Sequence, residues 1–147
     1  MNNHYDIGVY TAGGKHYAQA MVNFIDPKRM FVKHLLHREH CIPTVKGFTL
    51  KDLQLLEADL SKVILVDNSV YSFYLQLQNG VPIINFTDDH TDRELPKLEE
   101  FLIDLKAQQN IPGFLQNYFM LGLYTVFSKV NSLEYRLRSQ LVSPNFN

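Results

Sequence analysis

Four apolar residues, Val63–Val66, run directly into Asp67 and Asn68. A short apolar run that stops at polar residues reads as a buried parallel strand with functional groups at its carboxyl end. Ligands gather at that edge in open α/β sheets, which makes Asp67 and Asn68 a candidate site. A second group of chemistry-bearing residues is His34, His37 and His40 with Cys41. These are zinc-ligand types, but a spacing of three sends alternate side chains to opposite faces of a strand, so one strand does not gather all three. Cys41 as a nucleophile would need a lowered pKa, and nothing around it in sequence marks one. The acidic residues Asp88, Asp89, Asp92 and Glu94 read as a solvated loop and a helix N-terminus favoured by the helix dipole.

The elements that must position these groups follow from periodicity. Tyr5–Ala12 mixes β-branched and aromatic residues and ends in Thr11-Ala12-Gly13-Gly14, a strand entering a glycine loop. Ala18, Met21, Val22 and Ile25 then share a helical face, and Asp26-Pro27 stops the helix. Residues 30–41 and 45–50 read as short antiparallel strands. Leu50, Leu53, Leu56 and Leu60 have a helical period, with Thr49 and Asp52 as a capping pair. After the Val63–Val66 strand, Asn79-Gly80 is a turn and Val81–Phe86 a short strand. Thr91 and Glu94 have capping-box spacing before a helix carrying Leu95, Leu98, Phe101, Leu102 and Leu105. Strands alternate with helices, so the class is α/β. Beyond Ile111-Pro112-Gly113, apolar side chains from Phe114 to Val130 predict a further amphipathic helix. That helix covers the domain's own core or docks a partner. Lys129, Arg136 and Arg138 lie beyond its apolar stripe rather than opposite it, which disfavours a membrane surface.

Composition narrows the function classes. The chain has 147 residues, 14 basic against 15 acidic, and a formal net charge of -1. Bulk charge therefore gives no footing for nucleic-acid binding. A single cysteine excludes an intrachain disulfide and fits a reducing compartment. The first residues lack a basic and then apolar start, and the longest apolar-rich stretch is too short to span a bilayer. The expectation is a soluble intracellular protein, nuclear or cytoplasmic, with no transmembrane segment.

Taken in order, Tyr5–Pro27, Phe31–Cys41, Leu50–Ser69 and Asn79–Leu102 resemble the phosphatases that act on the C-terminal domain of RNA polymerase II. These include the small CTD phosphatases and the Dullard-type, NLI-interacting-factor enzymes of the haloacid dehalogenase superfamily. The resemblance runs from about Tyr5 to Leu105. It implies a HAD-like, Rossmannoid parallel sheet with a short β insertion over 1–107 and a helical C-terminal extension over 108–147. It also implies magnesium-dependent dephosphorylation of phosphoserine or phosphothreonine through an aspartyl-phosphate. By the resemblance, Thr11 supplies the hydroxyl that holds the phosphate and Lys51 neutralises the phosphoryl oxygens. Asp67 and Asn68 match the acidic motif, with Asn68 a magnesium ligand. Charge neutralisation by a cation and a metal is what phosphoryl transfer needs, and magnesium prefers oxygen ligands.

The departure from the family pattern is as specific as the match. The family's Asp-x-Asp-x-Thr motif, which supplies nucleophile and general acid, occurs nowhere in the chain. Its strand lies centrally, between those that carry Thr11 and Asp67, so the expectation is a truncated sheet with two unpaired edges. Two functions follow as expectations. One is a phosphoprotein phosphatase-derived chain that is inactive as given. The other is a non-catalytic phosphate- or protein-binding module, like a mitochondrial import translocase subunit.

Overall fold

The computed structural model describes residues 4–123. Within them the architecture is mixed α/β, with strands gathered in three separate pairs. Strand β1 (Ile7–Tyr10) pairs in parallel with β2 (Val32–Leu36), and helix α1 (Lys15–Ile25) connects them. Strands β3 (Cys41–Pro43) and β4 (Thr49–Lys51) form an antiparallel hairpin. Strands β5 (Leu65–Asp67) and β6 (Gly80–Pro82) are again parallel. Helices α2 (Glu94–Leu105) and α3 (Ile111–Phe119) follow.

Helix α1 buries only Ala18 and Val22, one turn apart, while Met21 and Ile25 stay exposed. Its end is set by Asp26 rather than by Pro27 alone. The buried Asp26 carboxylate accepts from the amides of Met30 (2.9 Å), Phe31 (2.8 Å) and Val32 (2.8 Å). Those three donors belong to the turn into β2, so one side chain stops the helix and starts the next strand.

The core has two parts. Leu53, Leu65, Phe73 and Leu121 form one cluster, and Val81, Leu105 and Leu115 the other. Phe119 of α3 packs against both. Leu115, from the segment read as a C-terminal extension, therefore shares a core with β6 and α2. Buried Asn79 ties the lead into β5, donating to the carbonyls of Leu60 (2.6 Å) and Val63 (2.8 Å).

Several sequence expectations change. Residues 49–60 are not one helix. Thr49–Lys51 is drawn into the hairpin with β3, and two 3-10 turns follow, Leu53–Leu56 and Leu60–Lys62. Asp52 and Asp59 cap those turns through the amides of Gln54 and Ser61. Glu57, at φ 51°, sits left-handed between them and breaks any longer helix. Residues 32–36 pair in parallel with β1, so the antiparallel partner of β4 is only Cys41–Pro43. Asn79 closes a 3-10 turn, Gly80 opens β6, and the strand ends at Pro82. The start of α2 is held by Asp92, whose Oδ1 accepts from the Glu94 amide at 2.7 Å, whereas Thr91 bonds Asp89. Within the expected helix, Met120 is left-handed at φ 50° and closes α3, and residues 121–123 are helical again. Residues 124–130 of that expectation, with Lys129, Arg136 and Arg138, lie outside the described residues.

Two positions are predicted to matter for stability. At Gly80 an added Cβ would come within 2.6 Å of the Phe73 ring, and Phe73 is fully buried. Gly80→Ala is expected to lower unfolding free energy by about 1–3 kcal/mol in urea titration, the usual cost of overpacking. The amides of Val32 above all, then Phe31 and Met30, hold the Asp26 carboxyl below its usual range against the opposing effect of burial. A lowered folded-state pKa contributes stability above the unfolded value that is lost as pH falls through the folded one. Asp26→Asn is therefore expected to lower Tm at neutral pH, with the gap to the parent narrowing below about pH 4.

Candidate functional site

Lys51, the last residue of β4, is buried, and its ammonium is ion-paired with Asp67 Oδ2 at the end of β5. Both side chains are only 9% exposed. The other oxygen, Asp67 Oδ1, accepts from the Ser69 amide at 2.8 Å. The chain after Lys51 is held from two sides. Asp52 N–H donates to the Tyr10 hydroxyl at 3.3 Å, and that hydroxyl donates to the His40 carbonyl at 2.6 Å. Buried Gln76 accepts from the Leu53 amide at 3.2 Å and donates to Asp52 Oδ1 at 2.9 Å. Lys51 Nζ also lies 5.7 Å from the centre of the Tyr10 ring, within cation–π range.

Thr11 stands at the carboxyl end of β1. Its amide donates to Leu36 O at 2.9 Å, which continues the β1–β2 ladder by one step. Its Oγ1 accepts from the Gly13 amide at 3.0 Å. A hydroxyl that accepts from the backbone keeps its own proton to donate to a ligand. Arg38 clamps the loop from outside, with Nε donating to Ala12 O at 2.8 Å and its amide to Gly13 O at 2.9 Å. Helix α1 begins just after the loop with no side-chain cap and no acidic residue in its first turn. Its positive end therefore adds to the attraction for an anion.

Cys41 joins the two halves. Its thiol donates to Thr11 O at 3.6 Å, and it is the cross-strand partner of Lys51. The carboxyl ends of β1 and β5 thus share one edge, with Thr11, Lys51 and Asp67 brought together and Asn68 exposed beside Asp67. Burial pushes the Cys41 thiol up, with Asp67 in the same direction and Lys51 and Arg38 pulling against it. That leaves the sulfur a packing group rather than a ready thiolate. The three histidines do not gather: His34 is exposed on β2, while the His37 and His40 rings meet edge to face with 4.2 Å between centroids and His40 Nδ1 accepts from the His37 amide at 3.0 Å.

Among the described residues no three of His, Cys, Asp or Glu gather as a metal cage. Magnesium does not require one, since it is commonly held by one or two carboxylates plus waters and phosphate oxygens. Asp67 and the exposed Asn68 carry oxygens of that kind, with both Asp67 oxygens engaged, one by Lys51 and one by the Ser69 amide.

The model for NLI interacting factor-like phosphatases matches residues 1–112. The chain belongs to this family. It is 43% identical to CTD small phosphatase-like protein 3 of Caenorhabditis elegans over 98 residues, 67% of this chain and 34% of that protein. It is 34% identical to the human CTD small phosphatase-like protein over 115 residues, 78% of this chain and 41% of that protein. A mitochondrial import inner membrane translocase subunit of Candida glabrata is 31% identical over 120 residues, 80% of this chain and 24% of that protein. The chain thus spans well under half the length of these relatives. No helix among the described residues is long and apolar enough to cross a membrane.

Tyr10 and Gln76 hold the backbone just after Lys51 without having stood out in the sequence. Each acts by a single side chain reaching a distant backbone group, for which no local pattern exists. Two variants measure the ion pair at the centre. Removing one partner of a buried pair leaves an uncompensated charge, so Lys51→Met is predicted to cost about 3–5 kcal/mol in denaturant titration. Combining it with Asp67→Leu is predicted to restore much of that loss, because the double replacement leaves no orphan charge.

Proposed function

We propose that this chain binds phosphate from phosphoserine or phosphothreonine proteins, with Thr11 and Lys51 as the phosphate-binding residues. Magnesium would be held by Asn68 and Asp67. The observation that carries this reading is the buried Lys51–Asp67 pair beside Thr11, at the shared carboxyl edge of β1 and β5. Thr11 donates its hydroxyl proton to one phosphate oxygen. Lys51 turns part of its charge from Asp67 to the phosphoryl group, and the α1 amides contribute further donors. When bound, magnesium supplies neutralising charge at the phosphoryl oxygens. The finer architecture in this proposal is a HAD-like sheet in which, among the described residues, no strand pairs with both β1 and β5.

The same reading makes the chain a poor catalyst as it stands. Family turnover splits one hard step into two through a covalent intermediate on aspartate, and this sequence contains no Asp-x-Asp-x-Thr. Loss of a covalent nucleophile costs on the order of 10⁴–10⁶ in turnover. Asp67 is engaged with Lys51 and Ser69, and misplacement by about 1 Å is already expensive. A second reading, a non-catalytic protein-binding module, draws support from the similarity to the Candida glabrata translocase subunit.

Calorimetric titration with inorganic phosphate and magnesium, alongside turnover of an aryl phosphate, tests the proposal. Expected are saturable phosphate binding that Thr11→Ala and Lys51→Ala each weaken about tenfold, and turnover at background. Magnesium-dependent turnover abolished by both Asp67→Ala and Asn68→Ala would overturn the inactive reading. Absence of phosphate binding in the parent chain would leave the protein-binding module as the better account.

A further inference from the structure

The 3-10 turn Arg38–His40 lies between β2 and β3 and is closed by a reciprocal pair of bonds. His40 N–H donates to His37 O at 2.8 Å, and His37 N–H donates to His40 Nδ1 at 3.0 Å. A backbone amide is always a donor, so Nδ1 holds a lone pair and the ring proton sits on Nε2. Both halves of the candidate site hang on this turn. Arg38 holds the loop after Thr11, through Nε to Ala12 O at 2.8 Å and through its amide to Gly13 O at 2.9 Å. The His40 carbonyl accepts from the Tyr10 hydroxyl at 2.6 Å, and that hydroxyl takes the amide of Asp52, next to Lys51.

An imidazolium carries N–H on both nitrogens. Protonation of half-buried His40 therefore turns Nδ1 from acceptor into donor and sets two N–H groups against each other. The His37 amide then loses its partner in a partly buried place. Imidazoles change charge between about pH 5 and 8, so this bond is made or broken under ordinary conditions. Beyond His37, the titratable and charged groups about His40 are Arg38 and Glu39 in the turn, Tyr10 from β1, Cys41 on β3 and Asp52 after β4. Burial pushes the Tyr10 hydroxyl and the Cys41 thiol up, away from that range. Arg38 stays charged, Glu39 is exposed, and Asp52 Oδ1 is taken by the Gln54 amide and the Gln76 side chain.

We propose that His40 is a positioning residue for the site of Thr11 and Lys51: its neutral form holds the site in shape, and its protonation loosens it. Anion affinity enters through the phosphate-binding reading above, whereas the coupling of turn to loop stands on the hydrogen bonds alone. The sign is opposite to that of simple charge. Acid adds a positive charge beside the site yet weakens anion binding, because the Thr11 hydroxyl and the loop amides lose their fixed directions.

The test follows the purified chain by proton–nitrogen NMR between about pH 8 and 5.5, the range of imidazole titration. His40→Asn keeps an acceptor near the Nδ1 position without titrating, and His40→Ala removes it. In the parent, the His40 ring and the amides of His37, Gly13, Arg38 and Asp52 are expected to shift with one shared midpoint. In His40→Asn those amides hold their neutral positions throughout, and in His40→Ala their acid positions. Calorimetry with sulfate, a tetrahedral dianion that does not titrate in this range, reads affinity. The parent is expected to bind about tenfold more weakly at the acid end, and His40→Asn to change less than about twofold. Amide shifts that persist in His40→Asn would assign the titration to another group. Gly13 and Asp52 amides that ignore the His40 midpoint would uncouple the turn from the site. Tighter sulfate binding by the parent in acid would show His40 acting by charge. Each of these three results overturns the proposal. Should sulfate bind at neither pH, the phosphate reading fails, and the shared midpoint alone upholds or overturns the positioning role.

Discussion

The buried pair between Lys51 and Asp67 is the constraint on which the rest of the molecule turns. It joins the β3–β4 hairpin to β5, two elements with no shared backbone ladder. Removing two charges from water is costly, and such a pair holds only where other donors complete it. Here Ser69 supplies one to the carboxylate, and the Tyr10 ring lies over the ammonium side. Weak as a source of net stability, the pair is strong as a source of position. Wherever Asp67 stands, Lys51 must follow, and Cys41 carries the hairpin's register on to Thr11.

Among the described residues, three strand pairs without a continuous sheet need another source of cohesion. Apolar packing provides part of it, through two clusters bridged by Phe119. Buried amides provide the remainder. Asn79 holds the carbonyls ahead of β5, and Gln76 holds the backbone just after Lys51. Tyr5 at the other end of β1 donates to Leu102 O in α2 at 2.6 Å. These long-range side-chain bonds do work that lateral strand pairing does elsewhere, so the site's geometry depends on single residues far from it.

That division also separates binding from catalysis. In the proposed reading, the groups that hold phosphate come from loop and strand ends that the contacts above keep in place: a hydroxyl, a buried ammonium and a helix N-terminus. A covalent nucleophile needs a carboxylate free of other partners and in line with phosphorus. The one buried carboxylate at this edge is already held by Lys51 and Ser69. Membership of a phosphatase family and the weak turnover proposed above are therefore compatible, since fold alone does not fix activity.

The sequence by itself determined the α/β class, helices α1 and α2, and the end of a strand at Asp67, because each rests on a local pattern: helical period, strand length, or an abrupt change of polarity. It also carried the family, since several motifs keep their order and spacing. Tertiary structure decided the rest. Leucines at 50, 53, 56 and 60 have helical spacing, but pairing of Thr49–Lys51 with Cys41–Pro43 overrode it. Asp26, read with Pro27 as the helix stop, reaches three amides beyond it, and Asp92 caps the start of α2 that had been read from Thr91. That Lys51 meets Asp67, with Thr11 one residue away through Cys41, has no signature within any window of the chain. Such encounters are set by how the elements stack in space, and periodicity along the chain carries no information about distance across it.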